Sequence, residues 1–303
     1  MFFRRSPKEV KPSLIYDYIS TQHKPVSQMC KALNISESGY YRHLRKKDKP
    51  DKNELLLAEI KKVLAQHIDN DNYGIYRMQL AILNNGIKAG RRRIYEVMKK
   101  AGLIHKKSRR SNGITKADKE AQKSENIIGR DFSAENPNEK WLTDITEVGC
   151  RDGKLYVSPI LDCYDGQIVG LTIDDHMRKE LCIEAFENAC RLTGASGMIL
   201  HSDRGSQYTS GAFRDSLAKH GAIQSMSGTG RCYDNARMES FFATLKKEKL
   251  YRIHTERLSK AEVKTIIFRY IMIYYNRQRI YTSNPGGMPP SVYRAATMAE
   301  KAA

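Results

Sequence analysis

The 303-residue chain has no apolar run approaching the ~20 residues that span a bilayer, and its start, MFFRRSPKEV, has no apolar core of a secretion signal. Cysteine is sparse and unpatterned. The six residues, Cys30, Cys150, Cys163, Cys182, Cys190 and Cys232, include no C-x-x-C pair and no ligand-spaced set with the eight histidines, so they read as reduced thiols rather than zinc ligands or disulfides. Acid is scarce as well, with 34 Asp and Glu against 52 Lys and Arg, a net charge of +18. These shortages exclude a membrane-spanning or disulfide-stapled protein. They predict a soluble cytoplasmic chain with a polyanionic partner and no membrane contact.

The charge is unevenly placed. Residues 1–130 carry 29 Lys and Arg against 13 Asp and Glu, and the remaining 173 residues carry 23 against 21. The first part therefore reads as a nucleic-acid grip and the second as a nearly neutral catalytic body. Residues 1–50 form a first helix-turn-helix: Val26, Met29, Cys30 and Leu33 mark one apolar face, Asn34-Ile35-Ser36 turns the chain, and Ser36 is an N-cap. The helix after it carries Ser38, Tyr40, Tyr41, Arg42 and Arg45 as groove-facing residues. The alternative is a helical hairpin that only packs. Residues 51–112 form a second such unit, in which Ile75, Met78, Leu80 and Ile82 precede an Asn84-Asn85-Gly86 break. Ile94, Val97 and Met98 then mark a helix that ends at Gly102. Arg91, Arg92 and Arg93 fall on its first turn, and Lys106, Lys107, Arg109 and Arg110 follow. Such runs are usually solvated faces, but seven cations this close read better as phosphate contacts.

Residues 113–136 lack apolar periodicity and read as a linker. From 137 the pattern turns to strands. WLTDITEV, KLYVSPILD and IVGLTI, divided by turn residues, predict an antiparallel meander. A helix over 179–193 follows, with Leu181, Ala185, Ala189 and Leu192 on its apolar face. Then come a strand MILHS, a helix over 210–220, a strand AIQSMS and a helix with Met238, Phe242 and Leu245 at helical spacing. Residues 261–303 close the chain as a helical tail whose regular structure is expected to stop at Pro289-Pro290.

Three carboxylates stand out in this pattern. Asp144 lies in the first strand, Asp203 ends the fourth, and Glu239 lies on the last helix, with 58 and 35 residues between successive acids. Oxygen donors on separate elements suit a hard divalent cation, and a pair of such ions can flank the two oxygens of a phosphodiester in transfer. Lys246, two helical turns beyond Glu239, falls on the same face roughly 10 Å along the axis. Arg204 and Gln207 follow Asp203 in a Gly-containing loop placed to grip DNA. Tyr208 beside them is open to a core role, and His201 to either phosphate contact or packing. Asp162 reads as structural.

Trp141 to Thr146 (W-x-x-D-I-T), His201 to Tyr208 (H-S-D-R-G-S-Q-Y) and Asp234 to Glu248 (D-N-A-x-x-E-S-F-F-x-x-L-K-x-E) carry a family resemblance that extends over nearly the whole chain. The chain resembles the DDE transposases of the insertion-sequence-three family, whose catalytic core is similar to that of retroviral integrases. The resemblance implies an α/β ribonuclease-H-like catalytic core, a mixed five-stranded sheet with helices over 137–260, preceded by all-α helix-turn-helix domains. It implies Asp144, Asp203 and Glu239 as catalytic residues holding two Mg²⁺ ions, with Mn²⁺ as a substitute. It implies strand transfer of the copy-out–paste-in type on double-stranded DNA, both terminal inverted repeats and target, by a homodimer or higher multimer in a bacterial, nucleoid-associated setting. It also implies an upstream-frame partner or a frameshift fusion to one. In the tail, Tyr281 stands where such proteins usually carry histidine, and no chemistry is assigned to it. A catalytically dead DNA-binding protein and a nuclease without strand transfer are the competing readings.

Overall fold

The computed structural model describes residues 10–47, 51–104, 125–228 and 232–302. The chain divides into two compact units, residues 1–61 and 62–303.

The first unit holds three helices, α1 (Pro12–Ser20), α2 (Val26–Ala32) and α3 (Glu37–Lys47). Asn34 takes the left-handed conformation, φ 52°, at the turn between α2 and α3. The Ser36 hydroxyl oxygen accepts from the Gly39 backbone N–H at 3.0 Å, the cap expected of it. Tyr40, expected to face a groove, is instead buried with Ile19 and Cys30. The reason is α1, which packs Ile15, Tyr16 and Ile19 onto the side of α3 that a two-helix reading leaves open.

Helix α4 (Lys52–Gln66) leads from the first unit into the second. There α5 (Ile75–Asn84) and α6 (Arg91–Lys100) form the second hairpin, packed through Met78, Ile82, Ile94, Val97 and Met98. The hairpin belongs to the same compact unit as the sheet. Tyr274 donates from its hydroxyl to the Asp69 carbonyl at 2.9 Å, Lys249 pairs with Asp69 at 2.9 Å, and Asn84 donates to the Gly286 carbonyl at 3.2 Å.

Six strands form one mixed sheet: β1 (Lys140–Thr143), β2 (Thr146–Cys150), β3 (Gly153–Asp162), β4 (Ile168–Asp174), β5 (Ile199–Ser202) and β6 (Ile223–Met226). Strands β1 and β2 lie end to end along one side of β3, with β4 along the other, and β5 and β6 extend the sheet in parallel beyond β1. The run WLTDITEV, expected to be one strand, is therefore two, which makes six strands where five were expected. Thr143 pairs with Ile160 and Thr146 with Val157 in one unbroken register, so Asp144 falls opposite Pro159. Proline has no N–H to give a ladder, and the pairing opens there.

Helix α7 (Lys179–Thr193) covers the sheet through Leu181, Ala185, Phe186 and Ala189. It comes so near β4 that a Cβ on Gly170 would stand 2.7 Å from that of Ala189. Leu192, expected on that face, is 68 % exposed, because it lies in the last turn, beyond the sheet-facing residues. After β5 come a single helical turn α8 (Ser206–Thr209), α9 (Gly211–Lys219), β6 and α10 (Ala236–Glu248). The core gathers Trp141, Phe186, Tyr208, Phe213 and Met226. Helix α11 (Lys260–Phe268) runs on as π-helix over Arg269–Tyr275. The expected stop at Pro289-Pro290 is overturned. Pro290 opens α12 (Pro290–Ala302), since a proline in the first turn forfeits no intrahelical bond. Among the described residues no helix is long and apolar enough to cross a membrane.

Candidate active site

The parallel pairing of β1 with β5 aligns Trp141 with Leu200 and Leu142 with His201. Continued past the strand ends, the same register sets Asp144 beside Asp203, one inter-strand spacing of roughly 4.8 Å away along the backbone. Each carboxylate takes a local backbone N–H: Ile145 donates to Asp144 Oδ1 at 2.8 Å, and Gly205 donates to Asp203 Oδ1 at 2.9 Å. Burial pushes Asp144 up to about 7, helped by the negative charges of Asp203 and Glu239, while Ile145 N–H and Lys246 pull against it. Burial also raises Asp203. Both acids stand above their ordinary range because desolvation outweighs the nearby positive charge, of which Lys246 is the part felt by Asp144.

Beneath them, the buried Tyr208 hydroxyl lies 3.2 Å from Thr143 Oγ1, which donates to the Pro159 carbonyl at 3.0 Å. Tyr208 is thus core. His201 is core too: its Nδ1 and Nε2 meet the hydroxyls of Ser225 and Ser227 at 2.8 and 3.1 Å, and burial lowers it to about 4, leaving it neutral.

The third acid arrives on α10. The helix is pegged to the sheet by residues that the D-N-A motif contained without revealing their task. Asn235 donates from Nδ2 to the Thr143 carbonyl at 3.1 Å, one residue before Asp144. Asp234, 1 % exposed, accepts from Arg130 Nε at 2.8 Å and from Asn126 Nδ2 and Gly228 N–H at 2.9 Å. Arg237 donates to the carbonyls of Cys163 and Phe132 at 2.6 and 2.9 Å. Glu239 follows, exposed on the first turn, and Lys246 lies further along the same helix. Nothing in spacing alone distinguishes these pegs from surface polar residues, and their inclusion in a recognisable motif was the one signal.

All three donors are carboxylate oxygens, the chemistry a hard divalent cation requires, and the raised Asp144 and Asp203 pair fits such an ion. Glu239 is close enough to act on Asp144 electrostatically. Among the described residues, however, no three His, Cys, Asp or Glu side chains are gathered closely enough to hold a metal ion. The strand register sets the two aspartates at neighbouring strand ends, and Glu239 comes to them from a separate element, α10.

The expected DNA contacts are spread over several elements. Arg42 and Arg45 are exposed on α3, where Arg45 also donates to the Tyr41 carbonyl at 3.3 Å. Arg91, Arg92 and Arg93 occupy the first turn of α6. Arg91 and Arg92 are both exposed, and Arg91 also bonds Gln79 Oε1 at 3.0 Å and stacks 4.7 Å from the centre of the Tyr76 ring. Lys106, Lys107, Arg109 and Arg110 lie outside the described residues. Arg204 donates to the Ser227 carbonyl at 2.7 Å, tying the loop after β5 to that after β6. Gln207 donates to the Met177 carbonyl at 3.0 Å. Asp162 is structural: it accepts from the N–H groups of Asn138 and Tyr164 and from Arg294.

A mixed sheet of this order with helices packed on it is an integrase-type, ribonuclease-H-like core, the fold of a polynucleotidyl transferase. Models of the integrase core domain match residues 134–232 and 239–298, and an HTH-like domain matches 50–111. The chain is 36 % identical over 271 residues to the uncharacterized 31 kDa protein of insertion element IS600 from Shigella sonnei, covering 88 % of this chain and 97 % of that one. It is 35 % identical over 241 residues to the transposase of insertion sequence element IS904 from Lactococcus lactis, covering 79 % and 94 %. The magnesium complex of the HTLV-2 integrase catalytic core is similar at 17 % identity and a TM-score of 0.40, over 53 % of this chain and 98 % of that one. The chain belongs to the transposases of insertion sequences, of the kind carried by IS3.

Proposed function

We propose that this transposase cuts and joins insertion-sequence ends with Asp144, Asp203 and Glu239 acting as one site for two Mg²⁺ ions, Mn²⁺ being the substitute. The observation that carries the reading is the β1–β5 register, which sets the half-buried Asp144 and the more exposed Asp203 at neighbouring strand ends of a helix-pegged sheet, both raised above the ordinary carboxylate range by desolvation. Bound ions supply activation of a water or a DNA 3′-hydroxyl and charge neutralisation at the leaving 3′-oxygen. The protein's own residues do the rest. Asp144 and Asp203 supply fixed oxygen donors, and Asn235 and Arg237 fix the start of α10, the helix that carries Glu239. Lys246 offers a cation to the phosphate backbone on the same helix face. Residues 1–112 hold the ends, with Arg42, Arg45 and Arg92 as exposed contacts.

Movement follows the copy-out–paste-in scheme, in which one transposon end attacks near the other on the same strand. The chain works as a dimer or larger assembly on two ends, alone or with an upstream-frame partner. The test is to incubate the full chain with Mg²⁺ and a labelled duplex carrying a pre-cut terminal repeat. Joined product is expected. Hydrolysis without joining would make the protein a nuclease, and binding without chemistry would make it a DNA-binding protein alone.

A further inference from the structure

Glu248 is the last residue of α10, the helix whose first turn carries Glu239. It is 7 % exposed, and three hydrogen bonds and a further ion pair hold its carboxylate. Arg279 donates from Nε to Oε2 and from Nη2 to Oε1, both at 2.8 Å, and Tyr270 donates from its hydroxyl to Oε2 at 2.9 Å. Arg77, on α5 of the second hairpin, pairs with Oε1 at 2.8 Å. Asn72, just ahead of α5, donates from Nδ2 to the Glu248 backbone carbonyl at 2.9 Å. The DNA-gripping hairpin and the closing helix thus converge on the end of one helix. Burial would raise Glu248, yet Arg279 and then Arg77 and Tyr270 outweigh it, so the group is held below the usual carboxylate range and stays charged.

A structural ion pair could sit anywhere on this interface. This one is attached, through nine residues of continuous helix or roughly 13 Å, to Glu239, the one acid of the three that a helix carries. A helix transmits an axial shift or rotation at one end to the other, so the seating of Glu248 sets the backbone position from which the Glu239 side chain reaches toward Asp144 and Asp203. At the hairpin end, Arg91 on the first turn of α6 bonds Gln79 and stacks on Tyr76, both on α5, so the expected DNA-facing turn is braced to the helix that carries Arg77.

We propose that Glu248 is a positioning residue: through Arg77 it couples the seating of the α5–α6 hairpin to the placement of Glu239 against Asp144 and Asp203. The inference rests on the reading of Glu239 as the third metal-holding acid. It assigns the hairpin a second task beyond gripping DNA, that of completing the active site.

The test uses the full chain with Arg77→Met, which removes the hairpin's link but leaves Glu248 paired with Arg279, and Arg77→Lys, which restores a cation. Mn²⁺ binding is titrated by electron paramagnetic resonance with a terminal-repeat duplex present, beside single-turnover joining, duplex affinity and the melting temperature. Residues outside the ligand shell that orient a ligand typically govern metal affinity by 10–100-fold. Arg77→Met should therefore raise the Mn²⁺ half-saturation by about tenfold and slow joining, with duplex affinity within about twofold, and high Mn²⁺ or Arg77→Lys should rescue it. A purely structural pair would lower the melting temperature and all readouts together. Unchanged Mn²⁺ half-saturation in Arg77→Met, or a proportional loss of everything, overturns the proposal. If Arg77→Met does not fold, Arg77→Gln carries the same comparison with a donor kept. Glu239→Gln run alongside separates the two ideas: normal Mn²⁺ binding and joining there sinks the three-acid reading itself, whereas a dead Glu239→Gln with an unaffected Arg77→Met sinks only the coupling.

Discussion

Asp144 is held in an environment that disfavours its own charge. Its folded value of about 7 stands above the ordinary 3.8, with burial as the main cause and Asp203 next. A raised acid contributes stability while it is protonated, so the contribution is present at pH below about 4 and is lost as pH climbs through 7. In metal-free protein, Asp144→Asn should accordingly melt higher than wild type at pH 8 and show less pH dependence between pH 4 and 7. A variant whose melting curve follows wild type across that window would contradict the assigned burial. The same protonation opposes metal binding, because the carboxylates must lose their protons first. Mg²⁺ affinity measured by calorimetry should therefore rise with pH up to about 7, with proton release that shrinks above it. At this scale the acids stand out in the sequence through their spacing and their neighbours. The pegs around them do not: Asp234, Asn235 and Arg237 owe their roles to partners roughly 70 to 110 residues away, such as Cys163, Thr143 and Arg130. No local pattern encodes such pairings.

Elements were legible where periodicity was strong and failed where a proline changed meaning with context. Helix α7 falls over the expected residues, 179–193, and the strand order follows from the meander and the alternation after it. Pro159 splits one expected strand into two because it faces β1 in the sheet, and Pro290 starts a helix instead of ending regular structure. That last helix is bound by charge. Arg294 pairs with Asp162 and Asp165, each at 2.6 Å, and both acids are fully buried. Removing one partner of a buried pair leaves an uncompensated charge and costs about 3–5 kcal/mol. Arg294→Met should lower unfolding free energy by that order in a denaturant titration, and a loss under about 1 kcal/mol would show that α12 is held by packing alone.

At the scale of the whole molecule, the charge division between residues 1–130 and the rest foretold a grip and a catalytic body, but not their attachment. The second hairpin is joined to the catalytic body by Arg77–Glu248, Lys249–Asp69 and Arg252–Asp71, ion pairs between segments that read separately as surface charge. The grip should still dominate salt dependence. Replacing Arg91, Arg92 and Arg93 together with Ala should flatten the log–log salt slope of end binding by about one to two units, since each phosphate contact contributes about 0.9 and Arg91 is partly occupied by Tyr76. An unchanged slope would make the run a solvated face. On the proposed scheme two ends meet in one reaction, so mixing a Glu239→Ala subunit with a full-length subunit that keeps its three acids but carries Arg42→Ala, Arg45→Ala and Arg92→Ala should recover joining if one subunit's grip serves the other's site. A mixture without activity, while wild type joins normally, would exclude catalysis across subunits.

The central claim is that Asp144, Asp203 and Glu239 act as one unit, and Glu239 is the member that tests it best because it comes from α10 and not from the sheet. The most direct measurement is strand transfer by full-length Glu239→Ala on labelled terminal-repeat duplex in Mg²⁺, with duplex binding followed in the same samples. The account predicts that joined product is abolished while binding stays within about twofold of wild type, and that adding Asp144→Ala costs almost nothing more, since residues acting as a unit fail together. Near-normal joining by Glu239→Ala would contradict it.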